Sequence, residues 1–214
     1  MDSISLNALL PHVFMARTDF QSDIWRQEVR LERGKTYLVE ANSGTGKSSL
    51  CSFLIGFRTD YSGTITFDDQ PAGRLSVSDW TNVRRRHLAL MWQELRLFPE
   101  LTAEENVRIK NQLTHYQKKR TLKEWFDRLG IADKAQTPVR LMSYGQQQRV
   151  AFIRTLCQPS DFILLDEPVS HLDEDNATLM AELLQEEIGR TGTGVLVTSI
   201  GKQLPLSYDR LFNL

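Results

Sequence analysis

The sequence is short of the features that mark several protein classes. Its 214 residues contain two cysteines, Cys51 and Cys157. They form neither a close-spaced redox pair nor part of a metal-ligand cluster, so a disulfide scaffold or a zinc module is excluded. Two buried thiols in a reducing compartment are expected instead. No apolar run approaches the ~18 to 20 residues that span a bilayer, so any membrane role has to come through a partner. The start, Met1-Asp2-Ser3, has no basic segment of the signal-peptide kind. Charge of one sign is also lacking: 26 basic residues face 27 acidic ones, a net charge of -1. That balance gives no electrostatic case for a nucleic-acid partner. Internal repeats and low-complexity stretches are absent.

What is present is ordinary for a globular chain, with 41% hydrophobic and 25% charged residues. A chain of this length buries about 70% of its unfolded surface, enough for a core without staples. The first forty residues read as strands, among them Thr36 to Ala41. Ser48 to Phe57 reads as a helix, with Leu50, Phe53 and Leu54 on one face. Thr64 to Phe67 alternates like an antiparallel strand, and Leu88 to Trp92 is another short apolar run. From about Thr102 to Cys157 the pattern is helical. The runs Phe162 to Leu165 and Gly194 to Thr198 then read as buried strands around a helix at Ala177 to Ile188. Strand–turn–helix units at both ends of a helical middle predict an α/β fold with a parallel sheet and an inserted helical subdomain.

The strongest motif is Ala41-Asn42-Ser43-Gly44-Thr45-Gly46-Lys47-Ser48-Ser49 between a strand and a helix. This is the context of a phosphate-binding loop. Gly44 and Gly46 let successive backbone N–H groups turn inward on phosphate oxygens. The helix that follows adds its unpaired N–H groups and positive dipole end. Lys47 is expected to reach the β- and γ-phosphates and Ser48 to place its hydroxyl on Mg²⁺. Ala41 stands where such loops begin with glycine, which is acceptable only if its φ stays negative.

The second signal is Phe162-Ile163-Leu164-Leu165-Asp166-Glu167-Pro168, an apolar strand ending in two carboxylates. Beside a phosphate loop, Asp166 is expected to hold Mg²⁺. Glu167, one residue on, is expected to polarise an attacking water.

Between these sites, Leu141 to Ala151 carries Ser143-Tyr144-Gly145-Gln146-Gln147-Gln148-Arg149. Here the sequence resembles the ATP-binding subunits of ABC transporters, with their Leu-Ser-Gly-Gly-Gln signature. Other elements of that family fall in order. They are Gln93 for the Q-loop, Leu97 to Val107 for the start of the helical subdomain, Ser170-His171-Leu172-Asp173 for the D-loop, and Val195 to Thr198 leading into the switch loop. The stretch Leu-Thr-Ala-x-Glu-Asn-Val looks most like the group serving lipoprotein release, macrolide efflux and cell division. The resemblance implies a P-loop NTPase of ABC type, with a mostly parallel core sheet, an antiparallel β subdomain and a helical subdomain. Residues 1–94 and 158–214 would form the core and β subdomain, and 95–157 the helical signature subdomain.

It also implies ATP and Mg²⁺ as ligands, with Ser48, Gln93 and Asp166 at the metal and Glu167, Gln93 and the switch position in catalysis. Lys47, Asp166 and Glu167 of one subunit would meet Ser143, Gly145 and Gln146 of another across ATP, in a homodimer or heterodimer. The partner implied is an integral membrane permease, which would keep this chain cytoplasmic and peripheral on the inner face of the membrane. For adenine the candidates are Phe14, favoured, and Phe20.

Three positions depart from the family pattern. Met142 replaces leucine, a small change in volume. Tyr144 replaces the first signature glycine and either stacks outward or obstructs closure. Ser199 replaces the switch histidine, and its shorter hydroxyl would need a bridging water. Loss of one transition-state donor costs about 10²–10³ in rate, so a slow ATPase is expected. A regulatory ATP-binding module and a soluble, non-transport ABC ATPase are the alternatives.

Overall fold

The computed structural model describes residues 1–17 and 21–214. Two sheets organise it. The first is antiparallel, in the order β2-β1-β4-β5, built from β1 (Ser3–Pro11), β2 (Glu28–Glu32), β4 (Tyr61–Phe67) and β5 (Gln70–Pro71). The second is parallel throughout, in the order β6-β7-β8-β3-β9, from β3 (Thr36–Glu40), β6 (Leu88–Met91), β7 (Phe162–Asp166), β8 (Gly194–Ser199) and β9 (Arg210–Asn213). The α/β class with one parallel and one antiparallel sheet is the architecture expected from sequence.

The parallel strands explain their own composition. In β7, Ile163 and Leu165 face one hydrophobic cluster while Phe162 and Leu164 face the other. In β3, Leu38 faces the first, and Tyr37 and Val39 the second. Side chains alternate along a strand, so a strand buried on both faces reads as an unbroken apolar run. One cluster joins this sheet to the antiparallel sheet through α1 (Lys47–Leu54), with Leu50, Phe53 and Leu54 at the contact. The opposite cluster gathers α3 (Ala103–Gln112), α4 (Lys119–Arg128), α5 (Tyr144–Thr155) and α6 (Glu174–Thr191). A short helix α2 (Val77–Asn82) runs through a π-turn, Val83–His87, into β6.

The helical middle starts on a capping box. Thr102 Oγ1 accepts from the Glu105 N–H at 3.2 Å, and Glu105 Oε2 accepts from the Thr102 N–H at 2.9 Å. Asn106 is fully buried; it accepts from the Phe98 N–H at 2.7 Å and donates to the Phe98 and Thr102 carbonyls at 3.0 Å. Buried polar groups need such partners. This one clamps the loop that enters the helices.

Both cysteines are buried and unpaired. No described helix is long and apolar enough to cross a membrane. In the basic run Arg84-Arg85-Arg86, Arg84 donates to the carbonyls of Ile55 and Gly56 at 2.9 and 3.1 Å and lies over the rings of Phe57 and Trp80.

Candidate functional site

The parallel register sets the site. β3 and β8 pair to their last residues, Glu40 opposite Ser199, and the Ala41 N–H donates to the Ser199 carbonyl at 3.2 Å. The loop 41–46 therefore leaves the sheet beside the ends of β8 and β7 and enters α1. Ala41 is not among the residues with positive φ, so the missing glycine costs no strain. Gly44 and Gly46 do need to be glycine, with φ of 79° and 103°. A Cβ on Gly46 would also lie 2.9 Å from the Trp25 ring and 3.0 Å from the Phe14 ring.

Lys47 is 5% exposed, and its ammonium donates to the carbonyls of Ala41 at 3.1 Å and Asn42 at 3.0 Å. Glu167 Oε1 stands 3.9 Å from it. Burial lowers the Lys47 ammonium below the ordinary lysine value, against the pull of Glu167 and Asp166. Burial likewise raises the Glu167 carboxyl above the ordinary glutamate range; Lys47 opposes the rise and Asp166 adds to it. At 3.9 Å the attraction between the two does not offset their desolvation. An anion that accepts from Lys47 would favour its charged form.

Ser48 Oγ lies 3.5 Å from Gln93 Oε1, and Gln93 Nε2 donates to Glu167 Oε2 at 3.2 Å. Gln93 thus bridges the phosphate loop and the acidic strand end. Asp166 is 1% exposed, and its Oδ1 accepts from the Thr198 hydroxyl at 2.6 Å. Glu167 takes a left-handed φ of 51°, held where its N–H donates to the Thr198 carbonyl at 3.2 Å. Such backbone strain in a non-glycine residue often marks a functional position. Among the described residues, no group of three or more His, Cys, Asp or Glu could hold a metal alone. The hydroxyl, amide and carboxylate oxygens of Ser48, Gln93 and Asp166 suit Mg²⁺, which shares its coordination with phosphates and water.

Asn42 and Ser43 are exposed along the loop, and Thr45 Oγ1 donates to the Asn42 carbonyl at 2.9 Å. Ser49 turns away, accepting from Arg58 at 2.9 Å. Ser143 and Gln146 cap α5 reciprocally: Ser143 Oγ accepts from the Gln146 N–H at 3.3 Å and Gln146 Oε1 accepts from the Ser143 N–H at 3.0 Å. A Cβ on Gly145 would lie 3.1 Å from Leu172 and 3.3 Å from the His171 carbonyl, so glycine lets the 170–173 loop approach.

Two expected residues have other engagements. Ser199 is 1% exposed and donates its one proton to the Lys202 carbonyl at 2.6 Å. Its hydroxyl is therefore not the free donor that a bridging water would require. Phe14 is 6% exposed, packs on Gly46, and carries the Arg17 guanidinium 4.9 Å over its ring. Phe20 lies outside the described residues. Sequence reading missed Trp25, whose Nε1 donates to the Thr45 carbonyl at 3.0 Å. A lone aromatic ahead of a strand carries no local signal of that contact.

A pocket of about 690 Å³ between α3 and α4 is lined by none of these residues. A smaller groove of about 300 Å³ runs between the core and the helical middle. Its wall carries Trp92 and the exposed side chains Phe57, Phe98, Ile109 and Leu113.

Comparison with known proteins identifies the family. The model of the ABC transporter family matches residues 26–170. The ABC transporter ATP-binding protein YclH of Bacillus subtilis is 30% identical over 180 residues, covering 82% of this chain and 78% of its own. The lipoprotein-releasing system ATP-binding protein LolD of Francisella tularensis is 29% identical over 92% of this chain and 88% of its own. The dimeric bacterial ABC transporter cassette MJ0796 shares the fold, with a TM-score of 0.74 at 23% identity over 91% of this chain and 87% of its own. With its phosphate loop, acidic strand end and signature helix in this order and this fold, the chain belongs to the ABC transporter family, as one of its ATP-binding proteins.

Proposed function

We propose that this chain is the ATP-hydrolysing subunit of an ABC transporter and drives a separate integral membrane permease from the cytoplasmic face of the membrane. The observation that carries the reading is the convergence of Lys47, Ser48, Gln93 and Glu167 through contacts of 3.2 to 3.9 Å. Residues 42–49 cradle the triphosphate, with Lys47 on the β- and γ-phosphates. Ser48, Gln93 and Asp166 would hold Mg²⁺, which would neutralise charge on the phosphoryl group. Glu167 orients the attacking water and accepts its proton, a task that suits a carboxyl raised by burial.

One phosphate loop leaves the γ-phosphate open to water. Ser143, Gly145 and Gln146 of a second subunit, at the N-terminus of its α5, complete the enclosure. The second subunit is another copy or an unlike ABC ATPase; the likeness to a dimeric cassette supports pairing. Residues 95–157 act as the helical arm on a core of 1–94 and 158–214. The apolar groove of Phe57, Trp92, Phe98, Ile109 and Leu113 lies between them, where a short cytoplasmic helix of the permease fits. Hydrolysis is slow, because Ser199 has its proton on Lys202 and supplies no donor.

The test is ATPase activity of the chain purified with its native permease and without it, alongside Lys47→Ala. The expected result is turnover that depends on the permease, with nucleotide affinity about 10²-fold weaker in the variant, as for loss of a charged donor. Failure of the unaltered chain to bind ATP overturns the reading. Binding and dimerisation without single-turnover hydrolysis would make it a regulatory module instead.

A further inference from the structure

The family reading leaves Tyr144 without a task. It stands where that pattern has a small residue, yet its side chain is neither loose nor stacked outward. Its hydroxyl donates to the Gln93 carbonyl at 2.9 Å, across 51 residues of sequence. Its ring meets His171 edge-on, with centroids 4.4 Å apart and 62° between planes. His171 is itself fixed, with Nδ1 2.9 Å from Ser170 Oγ, which accepts from Gln148 of α5 at 3.2 Å.

The segment that Tyr144 grips is under strain. Leu95 and Arg96 are consecutive non-glycine residues with left-handed φ of 59° and 48°. Such a turn persists only when its surroundings hold it. Arg154, at the far end of α5, donates to the carbonyls of both Leu95 and Arg96. The signature helix therefore holds the segment after β6 at two points, with Tyr144 at Gln93 and Arg154 two and three residues on. Between strand and tie, the Gln93 side chain spans Ser48 and Glu167.

The geometry points to Tyr144 as a positioning residue: by fixing the Gln93 backbone to the first turn of α5, it sets the Gln93 amide between Ser48 and Glu167 and makes this chain's own hydrolytic site move with its signature helix. The inference rests on the proposed ATPase function and deepens it. In this chain, closing the signature onto a second subunit also displaces or tightens the Q-loop of the subunit that carries it.

The test uses the full chain with Tyr144→Phe, which keeps the ring on His171 and removes only the hydroxyl. Without nucleotide, amide exchange over residues 92–97 is expected to accelerate by about fivefold, the equivalent of one hydrogen bond. Single-turnover hydrolysis is expected to fall by about three- to tenfold while affinity for a fluorescent ATP analogue changes by less than about twofold. In a Gln93→Ala background, the same substitution should slow hydrolysis no further, since it acts through Gln93. Unchanged exchange, unchanged hydrolysis, or an equal loss in the Gln93→Ala background each overturns the inference. So does a loss that merely follows a lowered melting temperature, which would assign Tyr144 to packing. If the unaltered chain fails to hydrolyse ATP, the ATPase reading fails separately, and accelerated exchange would still establish the tie.

Discussion

The phosphate-loop end and the switch end of the site respond to substitution in opposite ways. At the loop, Ala41 stands in place of a glycine without strain, since its φ is not positive; the cradle we propose uses main-chain N–H groups, which do not depend on that side chain. Trp25 and Phe14 pack on Gly46, so the loop is braced from behind. At the switch, the family pattern asks for a side-chain tip. Ser199 donates its one proton to the Lys202 carbonyl, so under the proposed function it supplies no such tip. A backbone site tolerates sequence change; a site built from one side chain is lost with it.

Three substitutions would break or sharpen this contrast. Glu167→Gln should have the largest effect: single-turnover hydrolysis falls by about 10²–10⁴-fold, the worth of a general base, while calorimetry shows ATP still bound. Retained hydrolysis would remove Glu167 from the chemistry. Next is Ser199→His, expected to raise turnover by about 10²-fold, the lower end of what one transition-state donor contributes. Equal rates under identical conditions would mean that the switch position costs this chain nothing. Smallest is Trp25→Phe. It deletes one hydrogen bond to the loop and should weaken ATP binding by about three- to tenfold, with a melting temperature a few degrees lower. Unchanged affinity would show that the loop holds its shape without the brace.

The limits of sequence reading follow the same division. Loop 41–49 and the strand ending at Asp166-Glu167 are contiguous motifs, and their flanking elements were legible from periodicity alone. The burial of β7 was legible for the same reason: alternate residues of its apolar run serve two clusters. Trp25, Tyr144 and Arg154 were not legible in their roles. Each acts on the backbone of a distant segment, Thr45, Gln93, or Leu95 and Arg96, and a carbonyl acceptor leaves no mark on residue identity. Ser199 was legible as a replacement, but its bond to Lys202 depends on a local loop conformation that composition does not encode.

The reciprocal cap on α5 has a consequence for recognition. A serine hydroxyl has two lone pairs and a single hydrogen. Ser143 uses a lone pair to satisfy the Gln146 N–H, so the helix takes nothing from its capacity to give. The cap uses the oxygen only as an acceptor; under the proposed function the hydrogen would serve a phosphate. If that proposal holds, an anion could be gripped at this helix end without first unwinding it when a second subunit arrives.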